Sequence, residues 1–313
     1  MKKNKVIILQ HGGGELANQL WNYISIYAYS LERDFICDNP SFFEYGKYFE
    51  HRNTSSVFIN ILFFIPFLKH EKRRNSLFTK TFRFLYRIFV FILKVLHKKR
   101  VISTKVGTKE FVVYLPPTQE NKQINQLERT GNIYLDGWMF RNPVGIKKYH
   151  KEIVSFFKPK TLIESRSKEI ISKLRSNFKN VIGVHIRQGD YRTFKRGKYF
   201  VDQGRIREIL DEFISVYKIN KDQTVFFIAS DGHIENNYFN GLSTYVSGEN
   251  AAVDMFSLAS TDVIIGSDST FGDFAAYYGN IPHIVCSRDT IDWKYYIDKD
   301  GFFENKYSTM VSY

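Results

Sequence analysis

The chain has 313 residues, 43% of them hydrophobic and 25% charged, with two cysteines and a formal net charge of +13. Its length predicts two domains, its composition excludes a disordered chain, and Cys37 and Cys286, far apart and in no CxxC pair, exclude a disulfide framework or a cysteine-based zinc site. The charge would suggest a nucleic-acid partner, but residues 51–100 hold twelve Lys and Arg against one acid, Glu71, so +11 of the +13 lies in that window and no nucleic-acid partner is expected.

The opening "MKKNKVIILQHGGG" has the basic start of a signal peptide, yet the apolar run at 6–9 ends too soon for one and reads as a first strand, with a cytoplasmic chain expected. His11, Gly12, Gly13 and Gly14 separate that strand from a helical pattern at 15–32. Glycines there let the backbone approach a phosphate at a helix N-terminus, but the spacing matches neither GxGxxG nor Walker A, and a tight turn is the competing reading. Asn53-Thr54-Ser55 matches a glycosylation sequon that has no use without secretion.

The basic window is also strongly apolar, in "VFINILFFIPFL" (57–68) and "TFRFLYRIFVFILKVLHKKR" (81–100). Neither run reaches the roughly 18 to 20 uncharged residues that span a bilayer. On a helix, Lys80, Arg83, Arg87, Lys94 and Lys98 fall within an arc of about 60° and leave the remaining circumference apolar. The pattern predicts an interfacial helix over 79–100 whose five cations meet the anionic inner face of a membrane; a core helix with a solvated basic edge is the alternative.

Short apolar runs at 132–137, 181–186, 224–230, 243–247, 262–267 and 282–287 alternate with helical patterns at 146–156, 163–176, 203–218, 251–260 and 271–279. This alternation predicts parallel sheets in an α/β protein. "FKPKTL" at 157–162 is the expected linker between domains at 1–156 and 163–313, with 51–100 inserted in the first.

Sites in such folds gather at the carboxyl ends of strands. "VIGVHIRQGDY" ends a strand in His185, Arg187 and Asp190, "FIASDG" in Ser230 and Asp231, and "GSDSTFGDFAA" in Ser267, Asp268, Ser269, Thr270 and Phe271 before a helix. Each has a plain structural reading, an ion pair or a helix cap, but all of them end strands. Asp298 and Asp300 form the DxD a metal-dependent transferase needs; placed near the C-terminus, they read as a surface turn, and no metal is expected.

Together these stretches resemble the family 11 glycosyltransferases, the α-1,2-fucosyltransferases. "GGGELANQLWNY" is similar to their GGLGNQxFQY, "VHIRQGDY" to VHIRRGDY, "IASDG" to their SDD strand end, and "DMFSLASTDVIIGSDSTFGDFAAYYG" to DLxLMSxCxHxIIANSTFSWWAAWLG. The resemblance implies a GT-B fold, two Rossmann-like domains facing a cleft, and an inverting, metal-independent transfer of fucose from GDP-fucose to a galactoside O2 in bacterial surface-glycan synthesis. The acceptor would be a glycan or a lipid-linked oligosaccharide, and the enzyme would sit peripherally at the inner membrane face. Arg187 would bind the β-phosphate and stabilise the leaving group; Asp190 would orient Arg187 or accept the acceptor's proton. His185 and Asp254 would contact guanosine, Ser269 and Thr270 the diphosphate, and Gly13 and Gly14 the opposite wall, with Asn18, Gln19, Asp231 and Phe271 also binding substrate. Two positions depart from the family pattern: Gln188 stands where it has a second Arg, and Gly272-Asp273 where it has paired aromatics. They put the donor geometry and the linkage in question.

Overall fold

The computed structural model describes residues 3–10, 14–68, 76–104, 112–113, 131–138 and 140–298. It divides into two units, Met1–Lys160 and Thr161–Ser312.

In the first unit β1 (Lys5–Gln10) leads into α1 (Leu16–Glu32) and β2 (Ile36–Asp38). Helix α2 (Leu77–Leu96), β3 (Val101–Thr104), β4 (Val112–Val113), β5 (Ile133–Gly137) and β6 (Phe140–Arg141) follow, then α3 (Pro143–Lys148) and α4 (His150–Phe156). The main sheet runs β2-β1-β5-β3, all parallel, with Ile7 opposite both Asp38 and Tyr134, while β4 and β6 form a separate pair. The alternation of apolar runs showed β1 and β5; β2 and β3, at three and four residues, are too short to carry a period. Helix α1 is buried on nearly every side, with Trp21, Tyr23 and Tyr29 among the largest enclosed side chains.

The sequence places a helix at 79–100, and α2 is there, capped by Ser76, whose hydroxyl accepts the Thr79 N–H at 3.2 Å. Its rotation corrects the expected stripe of five outward cations. Arg83 donates to Glu44 through two hydrogen bonds of 2.6 and 2.9 Å, and Lys94 reaches Asp136 at 2.6 Å. Both carboxylates are buried, and a buried charge demands a partner more strongly than an amphipathic period sets a rotation. Thr79, Tyr86 and Val90 therefore face inward, the Tyr86 hydroxyl donating to the Leu9 carbonyl at 2.8 Å, while Phe84, Phe91 and Leu96 face outward. Short helical turns over 57–67, including a π-turn at Asn60–Phe64, lie alongside, with Phe63 and Phe67 packed on Tyr86, Phe78 and Phe82. No helix among the described residues is long and apolar enough to cross a membrane.

The second unit comprises α5 (Thr161–Arg175), β7 (Asn180–Ile186), α6 (Gln203–Val216), β8 (Thr224–Ser230) and β9 (Ser243–Val246). It continues with α7 (Ala251–Leu258), β10 (Val263–Ser267), α8 (Thr270–Gly279), β11 (His283–Cys286) and α9 (Trp293–Asp298). The sheet order is β11-β10-β7-β8-β9, entirely parallel. Val181 to Ile186 are buried throughout, as a strand covered by helices on both faces requires. The chain leaves β7 toward β8 and β9, then returns to the other side of β7 with β10. That reversal makes the carboxyl ends of β7 and β10 a topological switch point, where open α/β sheets present a crevice.

Candidate active site

Arg187 follows the last residue of β7 at that switch point. Its peptide N–H donates to the buried Ser267 hydroxyl at the end of β10, 3.0 Å away. Its guanidinium spans two carboxylates, Nη2 to Asp190 Oδ1 and Nη1 to Asp231 Oδ2, each at 2.9 Å. Asp231, just past β8, also accepts the Gln188 and Gly189 N–H groups on Oδ1, at 2.7 and 3.2 Å. Tyr191 lies with its ring 5.6 Å from the guanidinium carbon and donates its hydroxyl to the Asp268 carbonyl at 2.9 Å. The "RQGDY" loop is therefore held from β8 on one side and β10 on the other. A Cβ at Gly189 would stand 2.5 Å from the Asp231 carboxylate, so only glycine lets this clamp close. Gln188 is buried, and its side chain fills space left by Gly232, where an Arg would bury a second cation.

Beside this loop Ser269 caps α8, accepting the Phe271 N–H at 3.3 Å, and Thr270 opens the helix. Phe271 stacks on His185 with ring centroids 5.0 Å apart. Burial, then the neighbouring His283 and Arg187, lowers the His185 pKa to about 3, so this imidazole is neutral at physiological pH. Behind it Asp273 lies 2.9 Å from His283 Nδ1, both side chains buried. Two enclosed ring nitrogens, His185 Nδ1 and His283 Nε2, have no hydrogen-bond partner among the described residues, and a methyl on Gly272 would come within 3.3 and 3.2 Å of them. The Gly272-Asp273 departure is thus locally coherent: the first residue must be small, and the second answers His283.

Asp254 sits in the first turn of α7, below Asn250, which caps the Ala252 and Val253 N–H groups. It takes a hydrogen bond from the Ser247 hydroxyl, and burial raises its pKa to about 7. Its hydrogen bond runs to the β9 end, apart from the Arg187 cluster.

In the first unit Gly14 has φ +96°, a conformation that favours glycine, and Asn18 and Gln19 lie beside it at the start of α1. Gln19 donates to the Gly14 carbonyl at 3.4 Å, and its buried Oε1 has no partner among the described residues. His11, Gly12 and Gly13 lie outside the described residues. Among the described residues no group of three or more His, Cys, Asp or Glu is arranged to hold a metal. Asp298 ends α9, and Asp300 lies outside the described residues.

Arg187, Asp190, Asp231, His185, Ser269, Thr270 and Phe271 thus gather at the carboxyl edge of one sheet, with Asp254 at its β9 side. Sequence reasoning read Ser267 only as a strand end or cap and left out Tyr191, although both lie inside the stretches it singled out. It also left out the Asp273–His283 pair, and no motif marks His283 within "PHIVCS".

Comparison with solved structures agrees with this architecture. POFUT1 in complex with GDP-fucose matches with a TM-score of 0.52 at 13% identity over 88% of this chain and 94% of that one. A second POFUT1 structure, with GDP, gives 0.55 at 11% identity over 91% and 99%. A mutant of Arabidopsis thaliana FUT1 with GDP gives 0.54 at 10% identity over 92% and 72%. The fold is that of the GT-B fucosyltransferases. No protein-family model and no curated protein matches the chain, so the likeness is to GT-B fucosyltransferase structures generally and not to family 11 in particular.

Proposed function

We propose that the chain is an inverting glycosyltransferase that takes its sugar from a GDP-sugar, GDP-fucose first among them, and needs neither metal nor other cofactor. The observation that carries this reading is Arg187, a guanidinium fixed by two carboxylates at the switch point and adjoining the Ser269-capped start of α8. A preorganised cation beside a helix N-terminus is suited to a diphosphate whose charge grows as the glycosidic bond breaks. The acceptor hydroxyl attacks the anomeric carbon from the face opposite the diphosphate and releases its proton to solvent water, while the electrons of the broken bond pass to the β-phosphate oxygen facing Arg187. Asp190 and Asp231 orient the guanidinium fork. Asp254 and the neutral His185, stacked under Phe271, serve the guanosine part, and the motif resemblance alone assigns Gly13, Gly14, Asn18 and Gln19 of the first unit to substrate binding. The GDP and GDP-fucose held by the compared structures support this donor class, and the motif resemblance supports a galactoside O2 in a glycan or lipid-linked oligosaccharide as the acceptor.

The deciding experiment is a thermal-shift screen against GDP, UDP, ADP and CMP, followed by GDP release from GDP-fucose. GDP at 100 times its dissociation constant adds about 2.7 kcal/mol and raises the melting temperature visibly. Arg187→Ala should keep the fold and lose on the order of 3 kcal/mol of transition-state stabilisation, with Lys restoring only part. Stabilisation by UDP and not by GDP overturns the donor assignment, and a requirement for manganese after EDTA overturns the metal-independent step.

A further inference from the structure

The outward face of α2 is apolar over an arc of about 120°, from Phe91 through Phe84 and Val95 to Leu85. Phe84 is 60% exposed and Phe91 67%. The 57–68 segment extends this surface: Phe63 packs its ring 5.7 Å from that of Phe89 on the flank of α2, while Phe58 and Ile61 on the same segment stay 65% and 59% exposed. A continuous uncovered apolar surface built from two neighbouring elements is far larger than scattered exposed side chains and marks an interaction site.

Its charge identifies the occupant. Lys80 and Arg87 run along one edge of the arc, and Lys98 and Lys99 stand at the C-terminal end; all four are exposed, and none has an anionic partner among the described residues. Neither 57–68 nor 76–100 contains a single acid. A second copy of the chain docking here would set cations against cations. We infer that α2 and the 57–68 segment dock the protein on an anionic lipid surface, with Phe58, Phe84 and Phe91 sinking to the acyl boundary and Lys80, Arg87 and Lys98 among the head groups. Arg83 and Lys94 take no part, since each answers a buried carboxylate. The inference is independent of the transferase reading, because it uses none of the residues that reading assigns and is tested without measuring activity.

The test is flotation of the full chain with phosphatidylcholine vesicles, with and without phosphatidylglycerol, at low and raised salt. Wild type should float with the anionic vesicles, less so with neutral ones, and raised salt should weaken the attachment. Phe84→Ser/Phe91→Ser and Lys80→Glu/Arg87→Glu should each lower the partition by at least about tenfold, while circular dichroism and melting temperature stay unchanged because these side chains are exposed. Phe91→Trp supplies a reading that needs no loss of binding: its emission should shift to the blue on anionic vesicles only. Wild type that ignores phosphatidylglycerol, double variants that float as wild type does, or a Phe91→Trp emission that stays solvent-like on anionic vesicles would each overturn the inference. A concentration-dependent dimer dissolved by Phe84→Ser/Phe91→Ser, without vesicle binding, would assign the face to self-association instead.

Discussion

Asp231 holds Arg187 through one carboxylate oxygen at 2.9 Å while its other oxygen accepts the peptide N–H groups of the next two residues. Asp190 touches the same guanidinium at the same distance, but it is the more exposed partner and holds no backbone. The two carboxylates therefore have different duties. Asp231→Asn keeps an acceptor for the loop but turns an amide N–H₂ toward Arg187, so the guanidinium loses its fixed direction, and misplacement of this order costs about 10²-fold in rate. Asp190→Asn removes a half-exposed pair worth about 1 kcal/mol or less, so its effect should stay within about fivefold. Steady-state GDP release by the two variants decides it; a larger loss for Asp190→Asn would make that residue the proton acceptor.

A second contrast lies on α2. Glu44 is fully buried and accepts two hydrogen bonds from Arg83, so Arg83→Ala removes a cation that answers a buried charge and should cost on the order of 3 kcal/mol of stability. Arg87, one turn on, is exposed, and Arg87→Ala should stay within about 0.5 kcal/mol. Urea unfolding of both variants reads the helix rotation directly. Equal small effects would restore the arrangement with all cations outward.

What the sequence shows and hides follows from the range of each interaction. All strands of the second sheet are visible because their apolar runs are local, and Arg187 with Asp190 is visible because three residues separate them. Asp231 reads as a strand end with a substrate contact implied by resemblance, and its hold on Arg187 is hidden because it crosses 44 positions and two strands of the sheet. The rotation of α2 is hidden for the same reason: Glu44 and Asp136 approach from 39 and 42 residues away, and no amphipathic period records them. Gly14 is visible as a glycine but not as a necessity until its φ of +96° is known.

The Asp273–His283 pair gives a third prediction. Both side chains are buried, so His283→Ala should strand the Asp273 carboxylate and cost about 3 kcal/mol. In an Asp273→Ala background the same change should cost much less, giving a coupling of about 1 kcal/mol or more in a double-mutant cycle. Additive effects would show that the two residues are neighbours without being partners.

The last prediction concerns pH. Burial, assisted by Glu249 and opposed by the Ser247 hydrogen bond, raises the Asp254 pKa from its ordinary 3.8 to about 7. Between these values the folded chain holds a proton that the unfolded chain has released, so stability should fall with rising pH by up to about 1.4 kcal/mol per unit and level off above the folded value. Asp254→Asn should remove that slope and be the more stable form on the alkaline side. Guanine presents two N–H donors on one edge, and they pair with a carboxylate in its charged form. If Asp254 reads that edge, GDP affinity should rise about tenfold per unit as pH approaches 7 from below and stay level above it, and Asp254→Asn should flatten and weaken the profile. His185 contributes nothing to this window, because it is already neutral well below it. Calorimetric titration with GDP across about pH 5.5 to 8.5, alongside thermal unfolding in the same buffers, separates the outcomes. A stability slope with a flat GDP profile would make Asp254 a structural group of the β9 end, and two flat profiles would mean that it is charged throughout.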